Sequence, residues 1–457
     1  MVNSSLISPS ISLHSATPKS TDTILTSSIL LSQFIFWGVW YWACLLSVIP
    51  FGRIWCGAFC PLGAISQWVG FFGLKRNLPR WVKWDGWLVI MFIVITLLGQ
   101  TLDVRDDPEG MIKLFGMIFL LAIVIGFLYG KNQGRPWCRY FCPIGKILGV
   151  VARLGIIDIR PNNGAKDLPI NQKLYKQGKL CPTDYNLPYK VSNNNCIACG
   201  KCTFKRDYLK KNKKSGMGVY LRKPGSEVED IMRKDPKITE VIFLLLSPGI
   251  SAGGFLWLIL NQYQQMRDSI GSWALNNDHM WIFNQASWII SSRSWNQNFN
   301  WLDIFSIFIY MMAYGLIIGF IIALLIGATS LIVKSKNRSL KKDFIYLSYQ
   351  ITPLSILSIV IGLSGKFFTT FENEFNMPSI ISVSIKIALF SGSIGWSIYL
   401  FAKAFKNIKP NKLSKLLLAW VCIAVLIGVL VAIWFPAIFN YTYMSEVEKI
   451  RKHIVLP

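Results

Sequence analysis

Residues 52–65 read Gly-Arg-Ile-Trp-Cys-Gly-Ala-Phe-Cys-Pro-Leu-Gly-Ala-Ile, and residues 134–147 repeat the phrase as Gly-Arg-Pro-Trp-Cys-Arg-Tyr-Phe-Cys-Pro-Ile-Gly-Lys-Ile, identical at 9 of 14 positions. An apolar run precedes each copy, 26–50 the first and 111–130 the second. The duplicated unit is therefore a hydrophobic span, a C-x3-C-P cysteine pair and a short apolar helix, which gives this part of the chain internal symmetry. Further apolar runs lie near 84–101, 240–262, 302–333, 344–365, 378–402 and 416–440. Each is long enough to cross the ~30 Å hydrocarbon layer of a membrane. The pattern predicts an all-α integral membrane protein with about eight transmembrane helices, and a composition 53% hydrophobic excludes an ordinary soluble enzyme. The segments 61–74 and 143–155 are too short to span and are expected as interfacial or re-entrant helices at the cytoplasmic face.

The loops alternate in charge. Those at 51–83, 131–239, 334–342 and 403–415 are basic, whereas 102–110 is acidic and 366–377 carries Glu372 and Glu374. Residues 131–239 alone hold 23 Lys and Arg against 8 Asp and Glu, a balance of +15. With eight crossings all four basic loops fall on one side, which the positive-inside rule makes cytoplasmic. The net charge of +25 thus belongs to membrane topology and calls for no nucleic acid. The expected organisation is a flexible segment over 1–25, a membrane domain with the repeat over 26–155, a cytoplasmic ferredoxin-like insertion over 156–239 and a second membrane domain over 240–457. The first apolar run is too long for a cleavable signal and reads as a true span of a multi-pass bacterial inner-membrane protein. Trp273, Trp281, Trp288, Trp295 and Trp301 recur through 263–301, as headgroup anchors do.

Eight of the ten cysteines carry the chemistry. Cys196, Cys199 and Cys202 form a C-x2-C-x2-C run, which lets one loop wrap three corners of an iron–sulfur cubane. Zinc sites more often draw two ligands from each of two knuckles, and disulfides are disfavoured in a cytosolic loop. The fourth ligand expected is Cys181, followed by Pro182, because in two-cluster ferredoxins the Cys of a Cys-Pro pair serves the other cluster. A 4Fe-4S cluster on Cys181, Cys196, Cys199 and Cys202 follows, the alternative being a cysteine-bearing structural loop. In the repeats, Pro61 and Pro143 suit the first helical turn and put Cys60 and Cys142 at helix N-termini, where the dipole favours thiolate. Cys56, Cys60, Cys138 and Cys142 together have the number of thiolates a second cluster needs. The bland reading is a structural turn with the cysteines as small apolar fillers. Cys44 and Cys422 sit singly in spans and read as packing. Only His14, His279 and His453 occur, none in a span, which excludes haem held by paired intramembrane histidines. Gly327 to Ser330 resembles the core of a threonine flavinylation motif around Thr329 but lacks its leading residue.

Duplicated C-x3-C-P pairs beside spans, followed by a ferredoxin-like segment, resemble the membrane polyferredoxins of the NosR/NapH/CcoG type. The stretch from Cys181-Pro182 to Cys202 is most similar to the end of the ferredoxin-like part of the NosR type. The likeness covers roughly 26–215; it departs in lacking an N-terminal flavin domain and one ferredoxin cluster, and in the spans after residue 240. The resemblance implies a membrane iron–sulfur electron carrier, not a stand-alone enzyme, working between a cytoplasmic or quinone donor and a membrane or periplasmic redox partner. The competing expectation is a permease or redox- or iron-sensing protein in which the cluster is regulatory, and Lys386 is the main ionisable group inside its later spans.

Overall fold

A computed structural model of the chain describes residues 31–439 apart from 162–180, 205–216, 287–299 and the short stretches 33, 102–103, 105–107, 131–133, 186, 188–189, 234, 258–259, 335–337, 364–366, 369–370, 373–374, 376 and 411. Its first half contains a π-helical turn Phe34–Trp40 running into α1 (Tyr41–Phe51), then α2 (Pro61–Phe72), α3 (Trp87–Thr101), α4 (Pro108–Tyr129) and α5 (Pro143–Val151). Next come β1 (Ile157–Pro161) and β2 (Met217–Leu221). The second half is helical: α6 (Ile238–Leu256), α7 (Asn261–Asn276), α8 (Trp301–Ile332), α9 (Leu340–Ser348), α10 (Thr352–Leu363), α11 (Ser379–Ile408) and α12 (Leu413–Phe439).

Among the described residues, seven helical segments are long and apolar enough to cross a membrane: Phe34–Phe51, Gly110–Tyr129, Ile238–Leu256, Trp301–Ile332, Leu340–Gly362, Ser379–Ile408 and Leu413–Phe439. The protein is an all-α membrane protein. The expected span at 84–101 differs: α3 has 15 residues, or about 22 Å at ~1.5 Å per residue, short of the hydrocarbon thickness. Its apolar run includes Trp84 to Gly86, which precede the helix rather than join it.

Burial separates the spans into a centre and a periphery. Within its most apolar window Ile238–Leu256 is 78% buried and Leu340–Gly362 is 89% buried, whereas Gly110–Tyr129, Ser379–Ile408 and Leu413–Phe439 are 22–28% buried. The peripheral helices turn Leu120, Leu417 and Val421 to the outside, as lipid contact requires. On α2, Trp68, Phe71 and Phe72 are exposed, which fits an interfacial helix. α5 departs from that expectation: Pro143, Gly145, Leu148, Gly149, Val150 and Val151 are all buried, because α1, α3 and α10 pack against it and the Asn194 carbonyl meets Gly149. Small residues seat α2 on α4, where a Cβ on Gly126 would lie 2.4 Å from the Ser66 carbonyl oxygen. Trp273 and Trp281 are exposed, as anchors would be, while Trp288 and Trp295 lie outside the described residues.

Strands β1 and β2 pair antiparallel, with Ile159 opposite Val219, and form the floor of the ferredoxin-like segment. A buried charge network fastens that segment to the later spans. Arg153, wholly buried, donates from Nε to Glu240 Oε2 at 2.7 Å and from a terminal nitrogen to Glu227 Oε1 at 2.9 Å. Glu240, in the first turn of α6, also accepts from Asn194 Nδ2 (3.1 Å) and Tyr349 Oη (2.8 Å). Removing the cation strands a buried carboxylate among neutral donors, so Arg153→Ala is expected to cost about 3–5 kcal/mol, read as a lower thermal midpoint of the detergent-solubilised protein. An unchanged midpoint would show that the network does not hold the two parts together.

Candidate iron–sulfur centre

The two repeats fold alike to within a few degrees. Each makes a π-helical turn, Trp55–Phe59 and Trp137–Phe141, entered at φ −60°, ψ −34° by Ile54 and by Pro136. Each turn ends on an extended cysteine, Cys60 at φ −72°, ψ 116° and Cys142 at φ −65°, ψ 115°. The amide of Cys60 donates to the Trp55 carbonyl at 2.7 Å and that of Cys142 to Trp137 at 2.8 Å. Proline then opens α2 and α5, so both cysteines cap helix N-termini, and the Gly145 amide donates to Cys142 Sγ at 3.2 Å.

The repeats are brought together by exchanged arginines. Arg53 of the first reaches across and donates to the Cys138 carbonyl at 3.4 Å, while Arg135 of the second donates to the carbonyls of Cys56 (2.8 Å) and Gly57 (3.1 Å). Arg135 Nε also donates to Gln67 Oε1 at 2.8 Å, and Arg53 reaches the Asn194 carbonyl at 2.9 Å. The repeated glycine after each Cys-Pro makes room for the opposite copy. A Cβ on Gly63 would stand 3.0 Å from Cys138 Sγ, and one on Gly145 would stand 2.8 Å from the Arg53 guanidinium. Cys56, Cys138 and Cys142 are buried and Cys60 is half-buried. Burial pushes the Cys138 thiol up to about 12, with Cys56 and Cys60 adding to the rise and Arg135 and Arg53 opposing it. Burial likewise raises Cys142 and Cys60. Two buried cations beside four thiols are what an anionic thiolate-bound cluster needs as counter-charge.

Cys181, Cys196, Cys199 and Cys202 line one cavity of about 340 Å³ of atom-free space, part of it open, with Ile159, Leu187 and Ile197 among its apolar walls. Ala198 (φ 50°) and Gly200 (φ 68°) are both left-handed and flank Cys199, so the loop doubles back around that thiol. The backbone of Lys201 donates to Cys199, and Tyr185, whose hydroxyl is held by Asn194 Oδ1 at 2.9 Å, closes one side of the cavity. Burial raises Cys199 and pushes Cys202 up to about 12. Among the described residues, no three His, Cys, Asp or Glu side chains converge closely enough for a single metal ion. Four thiols lining one cavity are the donor set that a 4Fe-4S cluster takes.

All eight cysteines expected in sites therefore fall into two groups of four. Cys44 is buried packing; Cys422 is only half-buried. Thr329 is fully buried and its hydroxyl donates to the Leu325 carbonyl at 2.7 Å, which leaves it no role as a flavin attachment point. Missed by sequence reasoning were Arg53, Arg135 and Gln67; the Gly-Arg pair standing at the same place in both repeats was the available signal.

These features define a membrane iron–sulfur protein. The family described as a 4Fe-4S binding domain matches at residues 33–79 and 112–160, once over each repeat with its preceding span. Among curated relatives, the chain is 25% identical over 156 residues to the uncharacterized protein MJ0749 of Methanocaldococcus jannaschii, covering 33% of this chain and 60% of that one. It is 24% identical over 172 residues to the ferredoxin-type protein NapH of Escherichia coli, covering 33% and 58%. It is also 24% identical over 132 residues to the regulatory protein NosR of Pseudomonas aeruginosa, covering 24% and 18%. The chain thus spans less than two thirds of the length of these three relatives, and no solved structure matches it. Over its first membrane half the chain is similar to the 4Fe-4S binding domain family and to ferredoxin-type proteins of the NapH kind, and that match supports a 4Fe-4S cluster as cofactor. In reduced, metal-free protein at pH 8, iodoacetamide is expected to label half-buried Cys60 and Cys202 well before buried Cys138 and Cys142, as followed by peptide mass spectrometry. Equal labelling of all four would contradict the burial described here.

Proposed function

We propose that the chain carries electrons through two iron–sulfur sites: a 4Fe-4S cluster held by Cys181, Cys196, Cys199 and Cys202, and a second held by Cys56, Cys60, Cys138 and Cys142. The observation that carries this reading is that Cys181, separated from the triplet in sequence, shares one cavity with Cys196, Cys199 and Cys202. The relatives named as ferredoxin-type proteins support electron transfer as the general activity. The residues of this chain bind and orient the clusters, exclude water from the inner one and supply Arg53 and Arg135 as counter-charge. The clusters themselves supply one-electron redox chemistry.

Sidedness follows from the repeats. Because Arg53 meets Cys138, both cysteine loops lie at one membrane face, so the chain between them crosses an even number of times. Since α4 crosses, α3 crosses too, its short length being met by local thinning or by the Trp81 and Trp84 anchors beside it. This reading has eight crossings and a cytoplasmic insertion in a bacterial inner membrane, which the +15 balance of residues 131–239 supports. An acidic soluble redox protein or a quinone then serves as donor, and a membrane or periplasmic protein as acceptor.

One observation favours the second reading, transport or sensing governed by the cluster. Lys386 is buried at 2% exposure within α11, its ammonium 5.0 Å from the Phe368 ring centre. Such intramembrane cations often mark a pathway. Anaerobic purification with iron and sulfide counts and electron paramagnetic resonance separates the possibilities. Electron carriage through two clusters predicts about eight irons per chain, about half of them lost in Cys60→Ser, and loss of the low-potential signal in Cys199→Ser. Zinc, or no metal at all, would end the proposal.

A further inference from the structure

The two groups of cysteines approach each other closely through backbone at Gly57. Gly57, next to Cys56, lies so close to the triplet loop that a Cβ there would stand 2.2 Å from the Ile197 carbonyl oxygen and 3.0 Å from Cys199 Cα. No side chain fits between them. Ile197 is 2% exposed and belongs to the core of the membrane domain, and Cys199 packs against that same core. Cys181, Cys196 and Cys202 instead pack on the small core built on Ile159, Leu187 and Met217. Cys199 is thus the one member of its group that faces the repeats.

The second repeat treats the equivalent position differently. Where the first copy has Gly57, the second has Arg139, whose guanidinium donates to the carbonyls of Thr183 and Asp184 in the segment after Cys181. At this position the first copy admits the ferredoxin-like segment to direct backbone contact, while the second, whose Arg135 amide also donates to the Pro182 carbonyl at 2.5 Å, reaches it by a long side chain. The asymmetry breaks an otherwise close two-fold match of backbone angles.

We propose that Gly57 is the positioning residue that sets the gap between the two clusters, and that electrons pass between them across the Gly57–Cys199 contact. This rests on both cysteine groups holding clusters. With clusters held by Cys181, Cys196, Cys199 and Cys202 and by Cys56, Cys60, Cys138 and Cys142, one electron given up by the first would be taken up by the second, with no bond and no proton moved. The half-buried outer group accepts electrons from a soluble reductant, and the buried inner group receives them. Tunnelling falls off exponentially with the gap, so a backbone contact free of an intervening side chain is the arrangement that favours speed.

The test uses the full chain, purified anaerobically and reduced with dithionite, in wild type, Cys199→Ser, Cys60→Ser and Gly57→Ala. The spectrum of reduced wild type is expected to show spin–spin splitting that the sum of the two cysteine variants lacks. Gly57→Ala, with its iron retained, is expected to weaken that splitting and to slow reduction of the inner cluster by an order of magnitude or more. If Gly57→Ala loses iron, the wild-type spectrum set against that sum decides alone. About eight irons with a purely additive spectrum would overturn this inference and leave the two-cluster carrier standing. About four irons, unchanged by Cys60→Ser, would remove both.

Discussion

Two arginines crossing between the copies of a repeat hold the first half of this protein together. A guanidinium buried without partners is too costly to keep, so Arg53 and Arg135, at 2% and 8% exposure, fix whatever satisfies them. Each finds a backbone carbonyl at a cysteine of the other repeat, Arg53 at Cys138 and Arg135 at Cys56. Neither repeat can then tilt or slide without exposing a charge to a dry interior. The same crossing brings the cysteines of the two repeats near one another and gives them positive neighbours.

The rest of the molecule builds on this joint. Arg53 reaches past the repeats to the Asn194 carbonyl, two residues before Cys196. The side chain of Asn194 contacts both Tyr185, at the cavity wall, and Glu240, at the start of α6. Through Glu240 and Arg153 the later spans join the network, with Tyr349 completing it. Buried, mutually satisfied polar groups of this kind restrict motion more than apolar packing does.

Much of this was legible in the sequence, and the parts that were not share a cause. The triplet, the Cys-Pro pairs and the helix-opening prolines are local patterns, and local patterns survive reading one residue after another. Cys181 could be assigned because Cys-Pro has its own meaning in ferredoxin-like folds. Apolar length located the spans; at α3 the helix begins at Trp87, three residues after the start of the run read from the sequence. Length and composition also could not distinguish α2, with its exposed Trp68 and Phe72, from α5, buried beneath a cover formed by distant residues. The arginine exchange joins positions 79 and 85 residues apart, and the Arg53–Asn194 bond 141, so neither leaves a periodic trace. Gly57 looked like one small residue among several until the loop it meets was in view.

The exchange itself can be observed directly by cryo-electron microscopy of the anaerobically purified protein in lipid nanodiscs. The account predicts density for the Arg53 guanidinium on the Cys138 carbonyl and for Arg135 on the Cys56 carbonyl, with the four repeat cysteines facing one another between them. A map in which each arginine bonds within its own repeat, with the two cysteine pairs apart, would contradict it.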